Sequence, residues 1–240
     1  MEADKLGLMA FWSDIDSDYA DRFREWHNCE HIPERVAIPG FVTGQRYRGV
    51  GPGRAFLMFY ETLSPDVLQS EAYLAALNSP TPWTLESLHH FKNPLRNLYR
   101  KLGENGADTE SASPYLVCVR FDLPDTALAD LERTLTDLCA GLSTRRTRRA
   151  RAFGLNEAAS KVDTKERAIY GAQPESQEFL LLLDEPVLAD AQALADLKDR
   201  ARSTAATNLD VHCYWLEFFL KAPASARSSP SSGNGPSGKS

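Results

Sequence analysis

Between Tyr19 and Phe41 the chain reads YADRFREWHNCEHIPERVAIPGF, and within it two imidazoles and a carboxylate stand close together as His27, Glu30 and His31. Side chains three or four residues apart share one side of a helix. Histidine is the side chain whose ordinary pKa lies nearest neutrality, so this group is suited to passing a proton to and from a substrate. A carboxylate aimed at an apolar layer has its neutral form favoured by desolvation, while a neighbouring imidazolium opposes that. The alternative is that Glu30 and His31 are solvated at a helix end beside Pro33. The same five residues, H-N-C-E-H, also match H-x-x-E-H, the inverted zinc-peptidase pattern in which two histidines hold the metal and the glutamate activates water. A third carboxylate ligand on a later helix is not evident, so no metal is assigned and a zinc hydrolase ranks last among the readings.

These groups need an element to aim them. At 100° per residue, Tyr19, Phe23 and Trp26 fall within about 60° of one another and define the face that packs on a sheet. Glu30 projects onto that face, with His27 and His31 along its border. The spacing predicts one helix over Ser17 to about Arg35. Arg46 and Arg48 alternate with Tyr47 on the next strand, so one set faces the helices; an arginine there could bind a carboxylate or enolate oxygen. Tyr60, late on the third strand, could donate a hydrogen bond. Trp83 and Phe91 could floor an apolar pocket. His89 and His90 diverge by about 100° on a helix, so at most one points inward. Arg96 is an anion-binding candidate.

The elements recur. Leu6–Trp12 reads as strand, Phe41–Val50 and Arg54–Thr62 as two more, Pro65–Leu77 as helix, and Trp83–Leu102 as a helix leading to a closing strand around Leu95–Leu102. After the polar GENGADTESAS come strand Tyr115–Leu123, helix Thr126–Leu142, strands Arg145–Phe153 and Phe179–Leu183, helix Val187–Ala205 and strand Leu209–Leu220. The expected fold class is therefore α+β, with two tandem ferredoxin-like β-α-β-β-α-β units. An open four-stranded sheet covered on one side leaves a bare apolar face. Two such sheets packed face to face would form an intramolecular dimeric α+β barrel. The domains so read are 1–102, a linker 103–113, a degenerate second unit 114–221 without the histidine pair, and a disordered tail 222–240, where Ser, Pro and Gly supply 13 of 19 residues.

E-W-H-N-C-E-H-I-P-E-R, followed by I-P-G-F and the strand Gly44-Gln45-Arg46-Tyr47-Arg48, resembles the dimeric α+β barrel superfamily, in particular its EthD-like and related uncharacterised members. Those proteins typically carry W-x-x-x-E-H at the end of the first helix, a P-G-F turn and an arginine-bearing second strand. The resemblance covers residues 5 to about 102; over 114–221 it rests on element order alone. It implies a pocket between sheet and helices with a histidine as acid or base, hence His31 as the proton-transfer residue with Glu30 and His27 as partners. Arg46, Tyr60, Trp26, Trp83, Phe91 and Arg96 would bind the substrate. It further implies a cofactor-independent lyase or isomerase of the cyclase, dehydratase or decarboxylase type, acting on a small aromatic or polyketide-like molecule. A non-catalytic binding or accessory protein for a hydrophobic metabolite is the alternative. Some branches of the superfamily use haem; there is no C-x-x-C-H here and the second half offers only His212, so no cofactor is expected.

Composition limits the partners. Of 240 residues 42% are hydrophobic and 25% charged, with a formal net charge of −6, the balance of a folded protein with no general field for a phosphate backbone. Arg145, Arg146, Arg148, Arg149 and Arg151 are locally basic, but read better as an exposed strand that charge keeps from pairing at its edge. No apolar run approaches the 18 to 20 residues that span a bilayer, and the start lacks a basic n-region, so a cytoplasmic location is expected. Cys29, Cys118, Cys139 and Cys213 form no C-x-x-C pair; the last three sit in apolar runs. The expected partner is a small-molecule substrate, with no nucleic acid, no membrane, and a homodimer left open.

Overall fold

The computed structural model describes residues 6–106, 112–125, 130–171, 177–204 and 206–226. Eight strands, β1 (Gly7–Ile15), β2 (Phe41–Val50), β3 (Phe56–Thr62), β4 (Phe91–Gly106), β5 (Tyr115–Asp122), β6 (Arg149–Leu155), β7 (Phe179–Glu185) and β8 (Thr207–Lys221), close into one barrel in the order β1-β3-β2-β8-β5-β7-β6-β4. Every neighbouring pair is antiparallel. β1, β3, β5 and β7 are apolar at most positions because both of their faces are covered. Leu8, Ala10, Trp12, Leu57 and Phe59 pack together inside the barrel with Leu116, Leu180, Leu182 and Tyr214. The alternate residues Met9, Phe11, Met58, Tyr60 and Leu98 form a second core on the outer surface of the first four strands. A third core, around Val117, Val119, Leu135, Leu138, Leu181 and Leu197, lies on the outside of the last four.

Helices cover both outer cores. On the first half lie α1 (Ala20–Trp26), a π-helical turn (His27–His31), α2 (Ile32–Val36), a 3-10 turn (Pro65–Gln69), α3 (Glu71–Asn78) and α4 (Pro82–Leu88). On the second lie α5 (Leu131–Leu142) and α8 (Ala191–Ser203). The connection from β6 to β7 carries α6 (Glu157–Ser160) and α7 (Lys165–Tyr170), and its Ala159, Ile169 and Tyr170 pack on the core of the first half. Within each half the strands lie in the spatial order fourth, first, third, second.

Several sequence expectations need correction. The two sheets do not stack face to face; they join edge to edge, β2 against β8 and β4 against β6. The stretch expected to begin the linker at Gly103 is still strand through Gly106, because Glu104 pairs in register with Arg151; 107–111 lies outside the described residues. The tail expected to be disordered from Ala222 is ordered to Ala226: Ala222 and Ala226 are buried and Gly40 N–H donates to the Ala226 carbonyl at 2.7 Å, while 227–240 lies outside the described residues. The arginine-rich strand is no exposed edge. Arg149 pairs with Glu104 at 2.5 Å, and Arg151 lies buried between Glu61 and Asp184. Alternation explains this, since every second residue of a strand in a closed barrel must point inward.

Candidate functional site

The helix opening the first half is interrupted where its histidines begin. Phe23 and Trp26 of α1 are fully buried, as their spacing requires. From His27 to His31 the backbone widens into a π turn, in which Ile32 N–H donates to the His27 carbonyl five residues back. Such turns advance less per residue than an α-helix, so they alter which side chains share a face. His31 is drawn in beside Trp26, ring centroids 4.4 Å apart, and His27 stays inward at 5.5 Å from His31. Glu30 is carried to the other side. Its Oε1 accepts from Thr81 Oγ1 at 2.5 Å and from Thr84 Oγ1 at 3.1 Å, at the start of α4, where Thr81 caps the helix and Trp26 Nε1 donates to Thr84 Oγ1. The carboxylate expected to face the sheet instead ties two helices together.

The two imidazoles have different surroundings. Arg46 Nη1 lies 3.2 Å from His27 Nδ1, and a guanidinium only donates, so Nδ1 accepts and the ring proton sits on Nε2, 3.4 Å from the Tyr60 hydroxyl. Arg46 is itself held by Glu217 of β8 and by Asn28 Oδ1, each at 2.8 Å. Its expected role in substrate binding is thus replaced by one behind His27. His31 Nδ1 is buried and has no hydrogen-bond partner among the described residues. Burial holds the pKa of both rings well below the ordinary histidine value, helped by Arg46 and Arg35 at His27 and by Arg35 at His31. Both rings are neutral at pH 7, each with one nitrogen lone pair. Burial also pushes the Tyr60 phenol far above its usual range, so it remains a neutral donor.

A cavity lies between the outer sheet face and these helices. His27, His31 and Trp26 line one side; Met9, Phe11, Met58 and Tyr60 form the sheet floor; Tyr73 and Leu77 of α3, Leu88, Phe91 and Arg96 complete the far wall. The second half of the chain contributes Glu166 and Tyr170 of α7. Glu166 forms a buried ion pair with Arg35, the residue one turn beyond His31. Burial pulls the Arg35 guanidinium down, but Glu166, Glu34 and the nearby tyrosines together more than offset this and keep it charged. Arg96 Nη2 donates to Tyr73 Oη at 3.2 Å. The cavity volume is about 40 Å³, room for roughly three waters at ~10 to 15 Å³ each and far below the ~300 Å³ of a cleft for drug-sized ligands. As shaped, it suits a molecule of a few heavy atoms rather than the aromatic or polyketide-like substrate expected.

Of the residues singled out in the sequence, His27, His31, Trp26, Tyr60, Phe91 and Arg96 meet around one space. Glu30 and Arg46 do not line it. Trp83 does not either: its ring lies under the Arg22 guanidinium at 4.4 Å on the outer flank of α4. His90 stacks on Tyr19 and pairs with Asp16, away from the cavity. Arg35, Tyr73, Glu166 and Tyr170 escaped the sequence reading. Arg35 and Tyr73 sit at helical spacing from buried neighbours and could have been found; Glu166 and Tyr170 lie in a short element that reaches the site only through the barrel's closure. For the zinc pattern, Glu30 is engaged by threonines, and among the described residues no group of three or more His, Cys, Asp or Glu is arranged to hold a metal ion. A larger groove of about 330 Å³ lies in the second half beside Val117, Leu197 and the exposed Arg145, Arg146 and Arg200; no histidine lines it. No helix among the described residues is long and apolar enough to cross a membrane.

No family model matches the chain, and no curated protein does. Solved structures do. An anthrone oxidase-like protein superposes with a TM-score of 0.58 at 12% identity, covering 95% of this chain and 97% of that one. A monooxygenase-like protein from Lactobacillus acidophilus NCFM gives 0.56 at 6%, covering 91% and 97%. Chlorite dismutase from Candidatus Nitrospira defluvii gives 0.52 at 10%, covering 90% and 92%. At these identities the likeness is one of fold, and the fold is that of a dimeric α+β barrel.

Proposed function

We propose that the chain is an enzyme, a cofactor-independent lyase or isomerase in which His31 removes a proton from carbon beside a carbonyl group of a small substrate and returns it elsewhere. The observation that carries this reading is a neutral, buried imidazole lining a cavity with no partner at Nδ1 among the described residues. Tyr60 serves the developing oxyanion: its oxygen accepts from His27 Nε2, which leaves its own O–H free to donate into the site. His27 positions Tyr60, and Arg46 fixes the tautomer of His27. We further infer that the barrel is built from two ferredoxin-like units in one chain, a reading supported by the shared strand order of the halves.

Base catalysis of this kind contributes about 10² to 10⁴-fold. Incubated in D2O with small ketones and 2-oxo acids, the protein should exchange the hydrogens beside the carbonyl, and His31→Gln should lose at least about 100-fold of that rate. Exchange that persists undiminished in His31→Gln overturns the assignment. A carrier protein would bind such molecules without exchanging them. The names borne by the structurally similar proteins favour a second reading, oxidation by dioxygen. There the same carbanion would give its electrons to O2, turning CH2 into C=O with one oxygen kept in the product and the other released as water. Oxygen uptake coupled to substrate loss separates the two.

A further inference from the structure

We propose that the molecule held in this cavity is a small carboxylate, seated on the Arg96 guanidinium and the Tyr73 phenol. The proposal rests on the reading of the cavity as the substrate site and names its substrate class. Six arginines of the described chain are buried: Arg35, Arg46, Arg96, Arg120, Arg149 and Arg151. Five have a carboxylate within ion-pair distance, namely Glu166, Glu217, Asp210, Glu104, and Glu61 with Asp184. Arg96 has none among the described residues, although it is only 6% exposed. Its one side-chain hydrogen bond among the described residues is to the Tyr73 phenol. A buried guanidinium without a counter-ion is costly, so the missing charge points to a ligand.

The donors around it fit that ligand. A guanidinium carries five N–H groups in a planar fork matched to a carboxylate, and only one of those of Arg96 is spent on Tyr73. Because Tyr73 accepts from Arg96, its own O–H is available to the same guest. The charges lining the cavity are Arg35, Arg96 and Glu166, an excess of one cation; Glu34 approaches Arg35 at 3.5 Å from a half-exposed position outside the lining. Proton uptake by His31 would add a second excess cation in the same small space, and an anionic substrate offsets both. The volume admits only a short acid.

Titration calorimetry of the full chain at fixed ionic strength tests this with acetate against acetamide and propionate against propionamide. The acids are expected to bind saturably and the amides at least tenfold more weakly. Arg96→Gln should abolish acid binding, Arg96→Lys should weaken it by losing the fork, and Tyr73→Phe should weaken it several-fold. Should Arg96→Gln fail to fold, the acid–amide comparison and Tyr73→Phe decide alone. Amides that bind as well as acids, or acid binding unchanged in Arg96→Gln or Tyr73→Phe, overturn the proposal. Acid binding through Arg96 without any hydrogen exchange in D2O would leave it standing while the proton-transfer reading fails. Exchange of neutral ketones with no preference for acids would do the reverse.

Discussion

His27 and His31 are neighbours on one turn, yet only His27 has its ring tied down at both nitrogens. Under the proposed function that difference gives positioning to the first and chemistry to the second, and the burial of both rings also gives the pair a signature in stability. Burial depresses both folded-state pKa values below the unfolded value near 6.5. Above that pH both states are neutral and the contribution is flat. As pH falls below about 6.5 the unfolded chain takes up protons that the folded one refuses, so stability is lost progressively toward the folded pKa, by up to ~1.4 kcal/mol per pH unit for each histidine. Thermal unfolding of the wild type should therefore weaken between pH 6.5 and 5, and His31→Gln should show a shallower slope over that interval. Equal slopes would mean that His31 titrates as it does in the unfolded chain.

The π turn decides which groups of Y-A-D-R-F-R-E-W-H-N-C-E-H enter the site. On an ideal α wheel Glu30 lies over Trp26 and His31 at the border; the wide turn exchanges them. Nothing in local residue preference announces such a turn, so the histidine pair was legible in the sequence while the fate of the glutamate between them was not. The consequence is testable. Glu30 holds the α4 N-terminus through Thr81 and Thr84, and charge-assisted bonds of that kind contribute about 1.5 to 3 kcal/mol. Glu30→Gln should cost about 1 to 2 kcal/mol in urea unfolding, given its partial exposure, yet change hydrogen exchange in D2O by less than threefold. A loss of exchange as large as that of His31→Gln would return Glu30 to the chemistry.

At the level of the whole molecule, the near-continuous apolar runs of β1, β3, β5 and β7 made the α+β class and the sequence of elements readable, because a strand buried on both faces has a distinctive composition. The path of the chain between β6 and β7 was not. A six-residue helix shows too little periodicity to be read, and its partner Arg35 lies 131 residues earlier in the chain. Breaking that pair should be severe. Glu166→Gln leaves the buried Arg35 with only the half-exposed Glu34 beside it, an expected loss of about 3 kcal/mol, whereas Arg35→Met with Glu166→Met should recover most of it. Urea denaturation of the single and double variants measures the difference, and a mild single variant would show that α7 does not brace the cavity. The joins of β2 with β8 and β4 with β6 also carry a longer-term meaning. Two separate identical chains meeting there would be bound by symmetry to copy every substitution into both lobes. A covalently continuous ring is released from that obligation, so the half that holds the histidines can change independently of the half that lends Glu166 and Tyr170 to the same cavity.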